Sequence, residues 1–151
     1  MSQTPNSPND PMSNPSATAA PAVGAVAMDP KEVADGKVLA IIGYIFGIVA
    51  IVMLFVRNNN FVLYHAKQMT VVAIIWIAAG ICVGIIGTVL AAVTKGFGAC
   101  IIPVGIIGLN VAMLVLVVIG IINAANGVCK PLPVVGAYAE KWFAGIKKAG
   151  T

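Results

Sequence analysis

The chain has 151 residues, of which 60% are hydrophobic and only 9% charged, with a mean hydropathy of +0.99 and a formal charge of +4. A soluble domain carries about 25% charged residues, so there is too little polar surface here to coat a water-facing globule. Lipid must be part of its solvent. The length allows one domain, and the nine Lys and Arg sit at the ends of apolar runs instead of forming a patch suited to nucleic acid. Cys82, Cys100 and Cys129 lack metal-ligand spacing and read as small apolar residues, not a disulfide framework.

Residues 1–30 hold six of the nine prolines, with Ser, Asn, Thr and Ala between them and no Lys or Arg. That composition predicts disorder, and it lacks the positive start and apolar core of a secretory signal. Asp29 followed by Pro30 is suited to open a helix, with the aspartate as cap. The first apolar run, Val38 to Val56, has nineteen residues and no charge. At 1.5 Å per residue it reaches about 28 Å, just enough for a hydrocarbon core of about 30 Å. It stops at the polar cluster Arg57-Asn58-Asn59-Asn60.

A short amphiphilic stretch, Phe61 to Gln68, leads into the second run, Met69 to Val93. The loop Thr94 to Gly98 is short enough to make the second and third spans antiparallel neighbours. The third run is Cys100 to Ile122, with Pro103 in its first turn, where a missing N–H does least harm. The expectation is an all-α integral membrane three-helix bundle, with spans near 38–56, 69–93 and 100–122. After Pro131 and Pro133, Val135, Tyr138, Trp142 and Ile146 recur at helical spacing. This predicts an amphipathic interfacial tail over 131–151, with Tyr138 and Trp142 at the headgroups and Lys141, Lys147 and Lys148 facing anionic lipid.

Counting cations near these spans places Lys31, Lys37 and Lys95 on one side and Arg57, Lys67, Lys130, Lys141, Lys147 and Lys148 on the other. The positive-inside rule then puts the carboxyl terminus in the cytoplasm and the amino tail outside. Small residues line one face of each of the first two spans: Gly43 and Gly47 with Ala40 and Ala50, then Gly80, Gly84 and Gly87. Such faces let helix backbones approach closely in lipid. Asn110 lies deep in the third span and needs a hydrogen-bond partner on another helix or the backbone.

No span contains a carboxylate, which argues against a proton relay or cation pathway. No nucleophile–base pair, phosphate-binding glycine loop or metal-ligand cluster is present, so neither catalytic residues nor a cofactor or metal are expected. Tyr64, His65, Lys67 and Gln68 form a polar cluster at a membrane boundary, where His65 could titrate near neutral pH or meet a headgroup.

Tyr64-His65-Ala66-Lys67-Gln68 resembles the aromatic-His-small-basic-Gln signature of a family of small bacterial membrane proteins. That family is similar to the chloroplast inner-envelope import component called Tic-twenty and includes the magnetosome membrane proteins MamF and MmsF. Lys37 through Tyr44 and Ala124-Ala125-Asn126-Gly127, followed by Pro131, Pro133 and Gly136, carry the resemblance further, over roughly Lys31 to Lys141. It implies an all-helical membrane domain, bacterial in origin, and no particular activity. The plant relatives look like four-span proteins, whereas three apolar runs are counted here. The functional expectation is a non-enzymatic protein of the bacterial cytoplasmic membrane. It would assemble with other membrane proteins or with copies of itself, as an organiser or accessory subunit. The alternative is an oligomeric channel or transport component, for which Asn110 and Thr88 are a thin polar lining.

Overall fold

In the computed structural model, which describes residues 26–149, the chain forms five α-helices. The Pro-rich tail lies, up to residue 25, outside the described residues. Helix α1 is Pro30–Ile45. Asp29 caps it by accepting from the Lys31 amide at 2.8 Å, and Pro30 takes the first position, where its missing N–H costs nothing. At Phe46 the backbone leaves the helical region, with φ −114° and ψ 84°, and α2, Gly47–Val56, follows.

This break is a reversal. In a continuous helix residues 43 and 50 would be about 10 Å apart along the axis. Here a Cβ placed on Gly43 would lie 3.6 Å from the Cβ of Ala50. Farther back, Asn59 Nδ2 donates to the Glu32 carbonyl at 2.8 Å. The second helix therefore runs back along the first, and the two form a hairpin whose open end is at Pro30 and Val56. The single span expected over 38–56 does not exist as one helix. Ten residues of α2 reach only about 15 Å, half of a hydrocarbon core. Hydropathy registers how apolar the stretch is and is blind to a turn inside it.

Arg57 ends α2 in the left-handed conformation (φ 49°), and Asn59 caps α3, Asn60–Val93, by accepting from the Val62 amide. The amphiphilic stretch Phe61 to Gln68 is thus the start of α3 itself, not a separate lead-in. A turn and a 3-10 segment, Phe97–Cys100, return the chain into α4, Ile101–Ala125. Gly98 sits directly on the Leu90 and Ala91 backbone, and its amide donates to Thr94 Oγ1 at 2.6 Å. The helices α3 and α4 are antiparallel neighbours. Among the described residues two segments are long and apolar enough to cross a bilayer, Asn60–Val93 and Phe97–Ala125. After α4 the chain lies across the bundle end and forms α5, Val135–Trp142.

Burial divides α3 sharply. Phe61 to Ala66, Gln68 and Thr70 to Val72 are buried, and beyond them only Gly87 is. The α1–α2 hairpin, the end of α4 and α5 wrap the first third of α3. The remainder of α3 and the start of α4 form a two-helix stalk, with Ile77, Ile81, Ile85, Val104 and Ile107 outward. The first and last described residues are both fastened at the wrapped end. The Val26 amide donates to the Cys129 carbonyl, and the Ala149 amide donates to the Arg57 carbonyl, both at 2.9 Å. The expected separation of the amino-terminal side from the carboxyl terminus is therefore corrected: Lys31, Lys37, Arg57, Lys67, Lys130, Lys141, Lys147 and Lys148 share one end, and Lys95 stands at the other.

The glycines separate in the same way. Gly43 packs on Ala50 in the hairpin, Gly47 meets Met69 of α3, Gly87 lies under Ile102, and Gly120, which the small-residue faces did not single out, lies under the Tyr44 ring. Gly80 only grazes Leu109 at 4.0 Å, and Gly84 has nothing within 4 Å. Gly84 is thus not a packing contact within the chain. Gly120→Ala should destabilise the protein by about 1–3 kcal/mol, because its methyl meets a rigid buried ring. Gly84→Ala should be neutral or slightly stabilising, because a helix gains from alanine where no neighbour objects. Thermal unfolding in detergent, followed by helical circular dichroism, checks the pair.

Candidate functional site: a buried polar latch under a basic rim

The wrapped end draws its side chains from every helix. Positions 61, 64, 65 and 68 fall on adjoining faces of α3's first two turns, because helical neighbours recur at three and four residues. His65 and Gln68 are each only 1% exposed. The expected headgroup-facing cluster therefore lies inside the protein: Tyr64, His65 and Gln68 are buried, and only Lys67 keeps partial exposure. The reversal of α2 and the return of the segment after α4 cover it from both sides.

The His65 ring meets Phe61, Tyr64 and Tyr44 edge-on, with centroids at 4.8, 5.6 and 5.8 Å. The Tyr44 hydroxyl is 3.3 Å from Nδ1. A hydroxyl donating to Nδ1 leaves the ring proton on Nε2. That nitrogen is buried without a hydrogen-bond partner among the described residues. Gln68 acts differently. Its Oε1 accepts from the Leu132 amide at 3.0 Å, and its Nε2 faces the Lys130 carbonyl at 3.5 Å. It fastens the returning segment to α3.

That segment is shaped by the residues that carry the second half of the sequence signature. Ala124 is fully buried. Asn126 ends α4 and Gly127 follows at φ 70°, its amide donating to the Ala124 carbonyl while the Val128 amide donates to that of Asn123. This paired closure needs a residue tolerant of positive φ, and here the crowding of Val33 and Lys37 leaves room only for glycine. Gly136 lies against Pro131, where a Cβ would not fit. Cys129 is buried beneath, and burial, with a smaller effect of Glu140, pushes its thiol up to about 12. It is a packing residue, inert as a nucleophile.

Glu32 closes the outer edge, a role that sequence reading missed. Its carboxylate accepts from the Asn60 amide at 3.2 Å and the Asn60 side chain at 3.3 Å. It also pairs with Lys148 at 2.5 Å. The Lys148 ammonium is the main reason its carboxyl lies below the ordinary value, with the Asn60 hydrogen bonds adding to it. Lys148, expected to face lipid, is therefore held by an ion pair. The run of three asparagines, Asn58 to Asn60, at the start of α3 was the available signal, since such residues cap helix starts and bond locally.

Above the latch is a cavity of about 290 Å³ lined in part by Asn60, Tyr64, Lys67, Glu140, Lys147 and Lys148. On α5, Val135, Gly136 and Ala139 face the core, while Tyr138 and Trp142 are about half exposed and stack edge-on at 5.9 Å. Lys141 and Lys147 are exposed. Asn110 is on the exposed side of α4, where it donates to the Ile106 carbonyl of its own helix at 2.7 Å. Thr88 likewise donates to Gly84 within α3.

A wholly helical fold with two helices of membrane-crossing length, gathered at one end into a polar and basic cap, defines a small helical membrane protein. The model of the magnetosome magnetite crystal formation protein family, MamF and MmsF, matches residues 34–137, and the chain belongs to that family. No curated protein and no solved structure matches it. The matched stretch contains both halves of the latch and leaves Glu32 and Lys148 outside.

Two changes test the latch. Gln68→Leu should cost about 1–3 kcal/mol by leaving the Leu132 amide buried without its acceptor, and should open residues 128–134 to limited proteolysis. Pairing lowers the folded Glu32 carboxyl below its ordinary 4.5. The contribution of the pair is therefore full above that value and lost as pH falls through the lowered one. Acidification in that window should loosen the carboxyl-terminal segment, read as faster proteolysis near Lys147. Glu32→Gln should remove the pH dependence.

Proposed function

We propose that this protein is a non-enzymatic organiser of the bacterial cytoplasmic membrane or a membrane derived from it, assembling with copies of itself or with other membrane proteins. The observation that supports this reading is the bare stalk. Gly84 on α3 and Gly108 on α4 have nothing within 4 Å, and outward apolar side chains flank them. Small residues on a lipid-facing helix let a second helix approach closely. The family description extends the proposal to a membrane in which magnetite crystals form. A channel or transport role draws little support, because Asn110 and Thr88 bond within their own helices.

In this reading α3 and α4 cross the bilayer and the α1–α2 hairpin does not. The basic end is cytoplasmic by the positive-inside rule, with eight cations there against Lys95 alone. One added cysteine at a time tests the arrangement in intact cells, in a Cys82→Ala, Cys100→Ala background that keeps the buried Cys129. Asn58→Cys and Ala27→Cys should both resist a membrane-impermeant reagent, and Lys95→Cys should react. Opposite behaviour of Ala27→Cys and Asn58→Cys would show that the hairpin crosses.

Assembly is tested by size in lipid nanodiscs and mild detergent. The natural chain should run as more than one copy or with retained membrane partners. Gly84→Leu should lose that association while keeping the helicity and melting temperature of the single chain. A natural chain that stays alone at every concentration sinks the proposal.

A further inference from the structure

We infer that the protein is a one-leaflet wedge, which favours membrane bent convex toward its basic end. The inference rests on the membrane placement of α3 and α4 and not on self-assembly. At the wrapped end four helices, α1 to α4, lie side by side; at the Lys95 end only α3 and α4 remain. The hairpin is not shielded from lipid. Val38, Ile45, Phe46, Ile48 and Phe55 are each 59% to 79% exposed. Apolar side chains this bare, on a chain with two membrane-length helices, belong in hydrocarbon.

Depth then decides the shape. The α2 helix reaches about 15 Å, and the charge-free part of α1 beyond Lys37 reaches about 12 Å, so the hairpin tip at Phe46 cannot pass the middle of a hydrocarbon core of about 30 Å. The hairpin displaces lipid in one leaflet alone. Taking each helix as about 10 Å across, two extra helices add on the order of 160 Å² of cross-section to that leaflet and nothing to the other. A leaflet expanded on one side bends the membrane toward that side. The hairpin holds its place because both of its ends are tied: Tyr44 to His65 and Gly120 near the tip, and Glu32 to Asn59 and Asn60 at the open end. The same end carries Lys31, Lys141 and Lys147 exposed, which favours an anionic leaflet.

The experiment uses giant vesicles of phosphatidylethanolamine and phosphatidylglycerol containing the full chain, from which a narrow tether is pulled outward. In the Cys82→Ala, Cys100→Ala background, Asn58→Cys or Lys95→Cys is labelled from outside with an impermeant dye, so each label reports one orientation. Copies labelled at Asn58→Cys should be enriched in the tether relative to a lipid dye, more so as the tether narrows. Copies labelled at Lys95→Cys should be depleted. Ratios of one for both labels, or shifts in the same direction, overturn the wedge. Paired Ile45→Asn and Phe46→Asn changes, which withdraw the tip from hydrocarbon, should shrink both shifts. If that variant does not fold, the two labels on the natural tip decide the matter alone. The tether ratio is read on single copies at low density, so loss of self-assembly leaves it unchanged.

Discussion

The close approach of α1 and α2 across Phe46 is the constraint on which the wrapped end is built. Two backbones in lipid approach only where side chains are small, and Gly43 against Ala50 supplies that contact. Once α2 runs back, Asn59 arrives beside Glu32 and can cap α3 while bonding the first turn of α1. That fixes where α3 begins. The start of α3 then lies between the hairpin and the returning segment after α4, and ten of its first thirteen residues become core.

Taking His65 and Gln68 out of water is costly unless their polar atoms find partners. Gln68 meets the backbone of the returning segment, and the histidine is enclosed by three aromatic rings with the Tyr44 hydroxyl on one nitrogen. A buried polar contact of this kind specifies one arrangement among many that an apolar core would allow. The family signature therefore reads as architecture. Its two halves, about sixty residues apart in the chain, are the two sides of a single fastening. The glycines at 127 and 136 serve it by letting the chain turn and lie flat.

The molecule joins two regions with different neighbours. The stalk presents bare apolar helices, with open glycines, to whatever lies in the bilayer. The cap presents lysines, a half-open cavity and the paired Tyr138 and Trp142 at the surface. Between them the hairpin makes one half of the protein broader than the other. The assembly and the wedge proposed above would thus draw on separate parts of the same fold, one on the stalk and one on the hairpin.

Much of this was legible in the residues. The scarcity of charge required lipid, the second and third apolar runs became the two long helices, and Asp29-Pro30 marked the first helix start. The tertiary structure alone decided the rest. Val38 to Val56 has the length and hydropathy of a span, and only packing against α3 and α4 reveals that it doubles back. Tyr64 to Gln68 has the composition of a membrane boundary, since a polar residue on a helix looks the same whether it meets water or a distant amide. Lys148 and Glu32 are 116 positions apart, and no local pattern couples them. Composition determined the solvent, because transfer free energy sums over residues one at a time. Which polar groups are inside depends on pairs brought together by chain reversal, and a sum over single residues holds no record of pairs.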